Sequence, residues 1–320
     1  MKKITVLCLL ICFSISCFSQ KATLKTCENG RYEQDVFSVG NKKTVQYASN
    51  VGWNGENVRL EMDIFTPNND SAIKRPLVIF AHGGGFVQGK KEDMAFFCQQ
   101  FAKKGFVTAS ISYRLLPMDK IYEPKNFVHE IVKAMSDMKA AIRYFRETIE
   151  NGNPYKIDEN FIFIGGASAG AITALHVGLL DEKDSIPDDF KSFLDSNGGL
   201  EGNTKTTENK SFTTKIKGII NYSGSVYKVD WLDKDDPPVF GYHGTADDVV
   251  PIGFGINGKV LELYGSKSMN EKADELGVYN LLVEVPNGGH TNIYLDAVYT
   301  KFYQDFHQKM FAKMKAIICH

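Results

Sequence analysis

The 320-residue chain reads as an α/β protein with a mostly parallel central sheet covered by helices on both faces. Three observations predict this class. Residues 77–81 and 107–112 are continuously apolar or β-rich, as strands buried on both faces require. Amphipathic helical patterns alternate with such runs along the rest of the chain, the order that crossover connections produce. At Phe161-Ile-Phe-Ile-Gly-Gly-Ala-Ser168-Ala-Gly170 an apolar run meets small residues and passes straight into an Ala-rich helical pattern. That is a strand, a sharp turn and a helix.

Taken in order, residues 36–39, 44–48 and 59–65 are short β-rich segments, ending at Pro67 and Asn68-Asn69. The alternation in Leu60-Glu61-Met62-Asp63-Ile64 fits an edge strand with one wet face. Residues 93–103 form an amphipathic helical pattern closed by Gly105. A longer helix is predicted over 128–147, where Ile131, Met135, Met138, Ile142 and Phe145 recur at helical spacing. Strands at 161–164, 218–222, 239–243 and 279–285 alternate with helices at 169–180, 258–275 and 293–317. The polar excursion 181–214 breaks this rhythm, with one short helical candidate at 188–194. Its position between the helix of Ser168 and the next strand predicts that it borders a pocket mouth. No internal repeat or low-complexity tract divides residues 20–320, so they are expected to form a single domain.

With 43% hydrophobic residues the chain can bury a large core. Residues 1–19 have the make-up of a secretory signal: Lys2 and Lys3, an apolar stretch from Ile4 to Ile15, and Cys17-x-Ser19 as a small-x-small cleavage site. A secreted or periplasmic protein is expected, with acylation at Cys17 as the alternative. The apolar stretch is too short for a comfortable membrane span. A formal net charge of −1, made more acidic by loss of the leader, offers no electrostatic reason to bind nucleic acid or an anionic membrane. Cleavage leaves Cys27, Cys98 and Cys319, enough for one internal disulfide at most. Pairing of Cys27 with Cys98 and three unpaired thiols are both open readings. No Cys-x-x-Cys or His-rich spacing suggests a metal, no cofactor is implied, and no pattern specifies an oligomeric state.

The chemistry-bearing residues gather around Ser168. A serine in a strand-to-helix turn is exposed and lies near the positive end of the helix that follows. His82-Gly83-Gly84-Gly85-Phe86 directly follows a strand end. Its glycines let the backbone aim amides inward, and each well-aimed amide typically contributes roughly 3 kcal/mol to holding an oxyanion. The amides of Gly84, Gly85 and Ala169 are the candidate donors, while His82 is expected to hold the loop.

A serine hydroxyl needs a base to accept its proton. His290, in Asn287-Gly-Gly-His-Thr291 just past a predicted strand, is the candidate. His129, His176 and His307 fall inside predicted helices as packing or surface residues, and His243 precedes a turn that it supports. An acid must then orient the imidazole. The segment His243-Gly-Thr-Ala-Asp247-Asp248 offers two adjacent carboxylates, of which Asp247 is preferred over Asp248. Phe86, Tyr222 and Tyr294, with Trp53 and Trp231, are candidates to line a substrate pocket.

These residues resemble the α/β-hydrolase superfamily, in particular carboxylesterases and lipases with a His-Gly-Gly-Gly oxyanion loop. The resemblance runs from about Arg59 to Ile317. It is carried by the glycine loop, Ser112-Tyr-Arg114-Leu, Ile157-Asp-Glu-Asn-Phe161, the Gly-x-Ser-x-Gly turn and His243-Gly-x-x-Asp247-x-x-Val-Pro251. The order Ser168, Asp247, His290 agrees with the family's order. Ala167 stands where hormone-sensitive-lipase relatives usually carry an acidic residue, and Ala171 where they commonly carry a second glycine. The resemblance implies an α/β-hydrolase fold and a serine carboxylic ester hydrolase acting on short-chain or carbohydrate-linked esters, small or polymer-bound. A serine peptidase of the prolyl-oligopeptidase type and a catalytically silent fold used for binding are the other readings.

Overall fold

A computed structural model describes residues 27–204 and 212–319. The expected leader at 1–19 and its alternative acylation site lie outside these residues, as do residues 205–211 of the polar excursion.

Eleven strands are described: β1 Lys43–Val51, β2 Asn57–Phe65, β3 Arg75–Ala81, β4 Val107–Ile111, β5 Ile157–Ala167, β6 Ile219–Tyr222, β7 Ser225–Val226, β8 Val239–Gly244, β9 Phe254–Asn257, β10 Leu261–Gly265 and β11 Leu281–Val285. The helices are α1 Ala95–Ala102, α2 Pro124–Glu150, α3 Ala169–Leu179, α4 Asp188–Ser196, α5 Ser266–Leu276, α6 Asn292–Leu295 and α7 Thr300–Cys319. The main sheet runs β1-β2-β4-β3-β5-β6-β8-β11, parallel from β4 to β11, with β1 and β2 antiparallel. This is the α/β-hydrolase architecture.

Strand order determines where the site lies. From β3 the chain steps to β4 on one side, then crosses back through α2 to β5 on the other. Right-handed crossovers in opposite directions place their helices on opposite faces, so a crevice opens beyond the carboxyl ends of β3 and β5. The glycine loop follows β3 and Ser168 follows β5.

Each face of the sheet has its own core. One lies under α2, α3 and α5, where Ile131, Met135, Met138 and Ile142 meet Leu77, Ile79, Ile162 and Ile164. Pro124 starts α2 at its first turn, where a missing N–H leaves no bond unmade. The opposite core is aromatic: Phe311 of α7 packs against Phe101 of α1 and Phe106, with ring centroids 4.7 and 6.2 Å apart. Truncating such a ring typically costs about 3–5 kcal/mol.

The structure departs from the sequence reading in several places. The strand expected at 36–39 is reduced to a single bridge between Val39 and Pro67. β2 is not an edge strand, because β1 covers it; the alternation reflects Asp63, which is buried by contacts with Lys42 and Thr44. The helix expected at 258–275 forms only from Ser266. Before it, β10 pairs with β9 and β7 in a separate three-stranded sheet. The apolar residues Leu261 and Leu263 alternate with Glu262 there, and period two prevails over helix propensity. The helix expected at 293–317 is broken at Asp296, whose extended backbone (ψ 130°) separates α6 from the turn leading into α7. Within the excursion, α4 forms as expected but packs against α2 and α3, where Phe193 stacks on His129 and Phe190 on His176.

Cys27 is bonded to Cys319, and Cys98 is a free, buried thiol. Pairing of Cys27 with Cys98 fails because the Cys98 side chain points into the aromatic core, where burial also pushes its thiol pKa well up. The end of α7 instead comes to lie beside the amino-terminal arm. The bridge spans 292 residues, and constraining so long a loop in the unfolded chain contributes typically about 2–4 kcal/mol. Reduction, or Cys319→Ser, is expected to lower Tm by roughly 5–10 °C. Scanning calorimetry with and without reductant checks this, and superimposable melts would show that the bridge contributes nothing.

Candidate active site

Ser168 has φ +52° and ψ −120°, a left-handed backbone that costs a non-glycine residue about 1–3 kcal/mol. The close crossing of α3 over β3 and β5 enforces it. A Cβ at Gly170 would stand 2.1 Å from the Ala81 carbonyl oxygen, so only glycine permits this approach. The Ser168 N–H donates to the Tyr222 carbonyl at 2.8 Å, fixing the turn to β6, while the side chain stays partly exposed.

The three residues singled out in the sequence meet in one line. His290 Nδ1 lies 2.7 Å from Asp247 Oδ2, and His290 Nε2 lies 2.8 Å from Ser168 Oγ. A carboxylate facing Nδ1 requires the proton there, so Nε2 presents its lone pair to the serine hydroxyl, which donates to it. Asp247 is the carboxylate that faces His290, while Asp248 points to solvent. Asp247 Oδ1 also accepts the N–H groups of Val249 and Val250 at 3.0 and 2.8 Å. Burial alone would raise the Asp247 pKa, but hydrogen bonds from His243, His290 and Val250 outweigh it and hold the carboxyl well below the usual range.

His243 supports this carboxylate more directly than the sequence indicated. Its Nε2 donates to the Val250 carbonyl at 2.7 Å and lies 3.3 Å from Asp247 Oδ2. Its Nδ1 accepts from the Ser266 hydroxyl at 2.7 Å, and Ser266 Oγ accepts from Asn221 at 3.0 Å. The remaining helix histidines are structural: burial pushes His129, His176 and His307 down to about 4.

Beside Ser168, Gly84 has φ +109°, and a Cβ there would meet the Gln88 carbonyl oxygen at 2.1 Å. Among the described residues, nothing accepts the N–H of Gly84 or Gly85. Ala169 opens α3, so its N–H has no acceptor within the helix. His82 holds the loop: its Nδ1 donates to the Gly83 carbonyl at 2.7 Å, and its ring stacks on Tyr113 at 4.3 Å. Tyr113 in turn donates to the His82 carbonyl at 2.8 Å. Sequence reasoning assigned Tyr113 no role, although the Ser112-Tyr-Arg motif contains it.

A cleft of about 530 Å³ opens beside Gly83, Gly84 and Ala167. Met94 and Phe97 form its apolar side, and Gln88, Lys90 and Asp93 its polar side. The expected pocket residues are placed differently. Phe86 and Tyr222 are fully buried: Phe86 turns inward at φ +66° against Phe127, and Tyr222 faces the aromatic core. Trp231 is buried against Phe190, and the Trp53 indole N–H donates to Glu130. Tyr294 is half-buried, with its hydroxyl 2.8 Å from Ser223 Oγ. No described residue of the excursion lines the cleft. Among the described residues, no group of three or more His, Cys, Asp or Glu side chains gathers to hold a metal, and no helix is long and apolar enough to cross a membrane.

The family model described as BD-FAE matches residues 62–230, which is 169 of the 320 residues and more than half of the chain. The chain belongs to the BD-FAE family. The match includes the glycine loop and Ser168; Asp247 and His290 lie beyond it, and geometry alone brings them to the serine. This BD-FAE chain is 25% identical over 206 residues to probable carboxylesterase 3 of Arabidopsis thaliana, covering 61% of each protein. It is 32% identical over 114 residues to gut esterase 1 of Caenorhabditis elegans, covering 35% of this chain. The chain thus spans 61% and 19% of the lengths of these two relatives. Among solved structures, propionate-bound esterase 2 of Thermogutta terrifontis superposes with a TM-score of 0.61 at 18% identity, over 86% of this chain and 94% of that one. A truncated carbohydrate esterase from gut microbiota superposes with a TM-score of 0.59 at 21% identity, over 88% and 98%. At these identities the likeness establishes the fold.

A carboxyl group held low in the folded state stabilises above its unfolded pKa of about 3.9, and the contribution fades only as pH falls below that value. Asp247→Asn is therefore expected to lower unfolding stability by about 1–3 kcal/mol between pH 5 and 8. The gap to wild type should narrow as pH drops below about 4. Denaturant titrations across that range test the sign, and a gap that widens in acid would contradict it.

Proposed function

We propose that this BD-FAE chain is an exported serine carboxylic ester hydrolase that works through an acyl-enzyme on short-chain or carbohydrate-linked esters. The observation that carries the reading is the unbroken line Asp247–His290–Ser168, with contacts of 2.7 and 2.8 Å ending at a partly exposed hydroxyl. Ser168 Oγ forms a bond to the ester carbonyl carbon as its proton passes to His290 Nε2. Asp247 stabilises the resulting imidazolium without taking its proton. The carbonyl oxygen, now anionic, accepts from the amides of Gly84, Gly85 and Ala169. Collapse of this intermediate breaks the bond to the alcohol, whose oxygen takes the proton from His290. Water then attacks the acyl-serine with His290 as base, releasing the acid and restoring the serine.

The cleft beside the glycine loop supports the substrate class. It adjoins Ser168 through Ala167, Gly83 and Gly84 without being lined by Ser168 or His290, and at about 530 Å³ it has room for a small acyl group or a single sugar-sized group. Export is supported by the composition of residues 1–19 and by the Cys27–Cys319 bond, which an oxidising compartment maintains.

Ser168→Ala is expected to lower kcat on p-nitrophenyl acetate by at least about 10³-fold while leaving the melting profile intact. Equal activity in the two proteins would exclude Ser168 as nucleophile. p-Nitrophenyl butyrate should be turned over in the same assay, with long-chain p-nitrophenyl esters at least about tenfold slower, and acetylated xylan should release acetate.

A further inference from the structure

His290 stands on a loop that has little structure of its own. The helix that follows it, α6, has four residues, far below the length at which a helix is stable alone. The loop's amino-terminal side is tied down: Ala246 N–H donates to the Gly288 carbonyl at 2.8 Å, Asn287 N–H to Thr245 Oγ1 at 2.9 Å, and Tyr299 Oη to the Asn287 carbonyl at 3.0 Å. The side that continues into α6 needs anchors of its own. Besides Asp247, two tyrosine hydroxyls pin this segment to the sheet. Tyr242 Oη donates to the Ile293 carbonyl at 2.9 Å, and Tyr294 Oη pairs with Ser223 Oγ at 2.8 Å.

The second of these contacts has an unusual anchor. Ser223 is 1% exposed and has φ +55°, a left-handed backbone in a buried non-glycine residue. Such strain, about 1–3 kcal/mol, persists only where the surroundings impose it and clusters at functional sites. Here Ser223 N–H donates to the Tyr242 carbonyl at 3.0 Å, and the next amide, of Gly224, donates to Asn221 Oδ1 at 2.8 Å. The residue immediately before, Tyr222, carries the carbonyl that receives the Ser168 N–H. Ser223 thus joins two ends of one frame: its main chain continues the strand that holds the nucleophile, and its hydroxyl holds the helix next to the base. A phenylalanine at 294 would fill the same volume, so packing alone does not call for the tyrosine hydroxyl.

We propose that Ser223 and Tyr294 are a positioning pair, whose hydroxyl–hydroxyl bond fixes the distance between His290 and Ser168. The inference rests on the reading of Ser168 as nucleophile and His290 as its base. Losing the bond frees α6 to shift, and a displacement of about 1 Å can reduce rate by about 100-fold. Neither side chain binds the substrate in this scheme, so the loss belongs to kcat with KM unchanged.

The test compares Tyr294→Phe, Ser223→Gly and the double variant with wild type. Ser223→Gly removes the hydroxyl while easing the positive φ, so it separates positioning from backbone strain and carries the test if Tyr294→Phe does not fold. Each single variant is expected to lose about 10–100-fold in kcat on p-nitrophenyl acetate, with KM within about twofold. Second-order labelling of Ser168 by a fluorophosphonate should slow by the same factor, and the double variant should lose no more than the worse single one. Wild-type rates of labelling and turnover in Ser223→Gly, whatever its Tm, would overturn the pair while leaving the nucleophile intact. A wild-type chain that the probe does not label would remove the underlying reading and the pair with it.

Discussion

The site depends on one close crossing of backbone: α3 passes so near β3 and β5 that no side chain fits between them. A Cβ at Gly170 would collide with the Ala81 carbonyl, and one at Gly166 would lie 2.3 Å from the carbonyl carbon of Gly170. This proximity makes the turn at Ser168 tight enough to hold φ at +52° and lift its hydroxyl clear of the sheet. It also places the first amide of α3 beside the glycine loop that follows β3. The proposed nucleophile and oxyanion donors are therefore consequences of the same contact, and a methyl group in that contact would disturb both.

Asp247 and His290, the proposed acid and base, reach this turn by a different route. Ser168 and His290 are 122 residues apart in sequence, and His290 and Asp247 are 43 apart. Parallel strands bring them together because every carboxyl end opens on the same edge of the sheet. β8 and β11 pair in register from Phe240 with Leu281 to Gly244 with Val285, so the loops bearing Asp247 and His290 leave side by side. Asp247 then ties that pair into the fold through two backbone amides and His243, a web that keeps the carboxylate ionised and fixes the imidazole tautomer.

Much of this was legible in the sequence, for physical reasons that differ from element to element. β3 and β4 showed as continuous apolar or β-rich runs because both of their faces are buried. The turn at Ser168 showed because its sterics demand small residues at fixed spacing. Asp247 and His290 could be selected because candidate loops follow strand ends in a known order. β10 was misread as the start of a helix because a short mixed segment satisfies both periods, and only pairing with β7 and β9 decides between them. Phe86 and Tyr222 were misplaced because nearness to a motif does not say which face a side chain takes. The bond of Cys27 to Cys319, and the meeting of Ser223 with Tyr294 across 71 residues, leave no local pattern at all.

The most direct measurement is intact mass after rapid mixing with a slowly deacylating ester and an acid quench, followed by peptide mapping. The proposed mechanism requires one acyl group per chain, carried on the peptide that contains Ser168, appearing before steady state and absent from Ser168→Ala. Turnover with no acyl adduct, or an adduct mapping to any other residue, would contradict it.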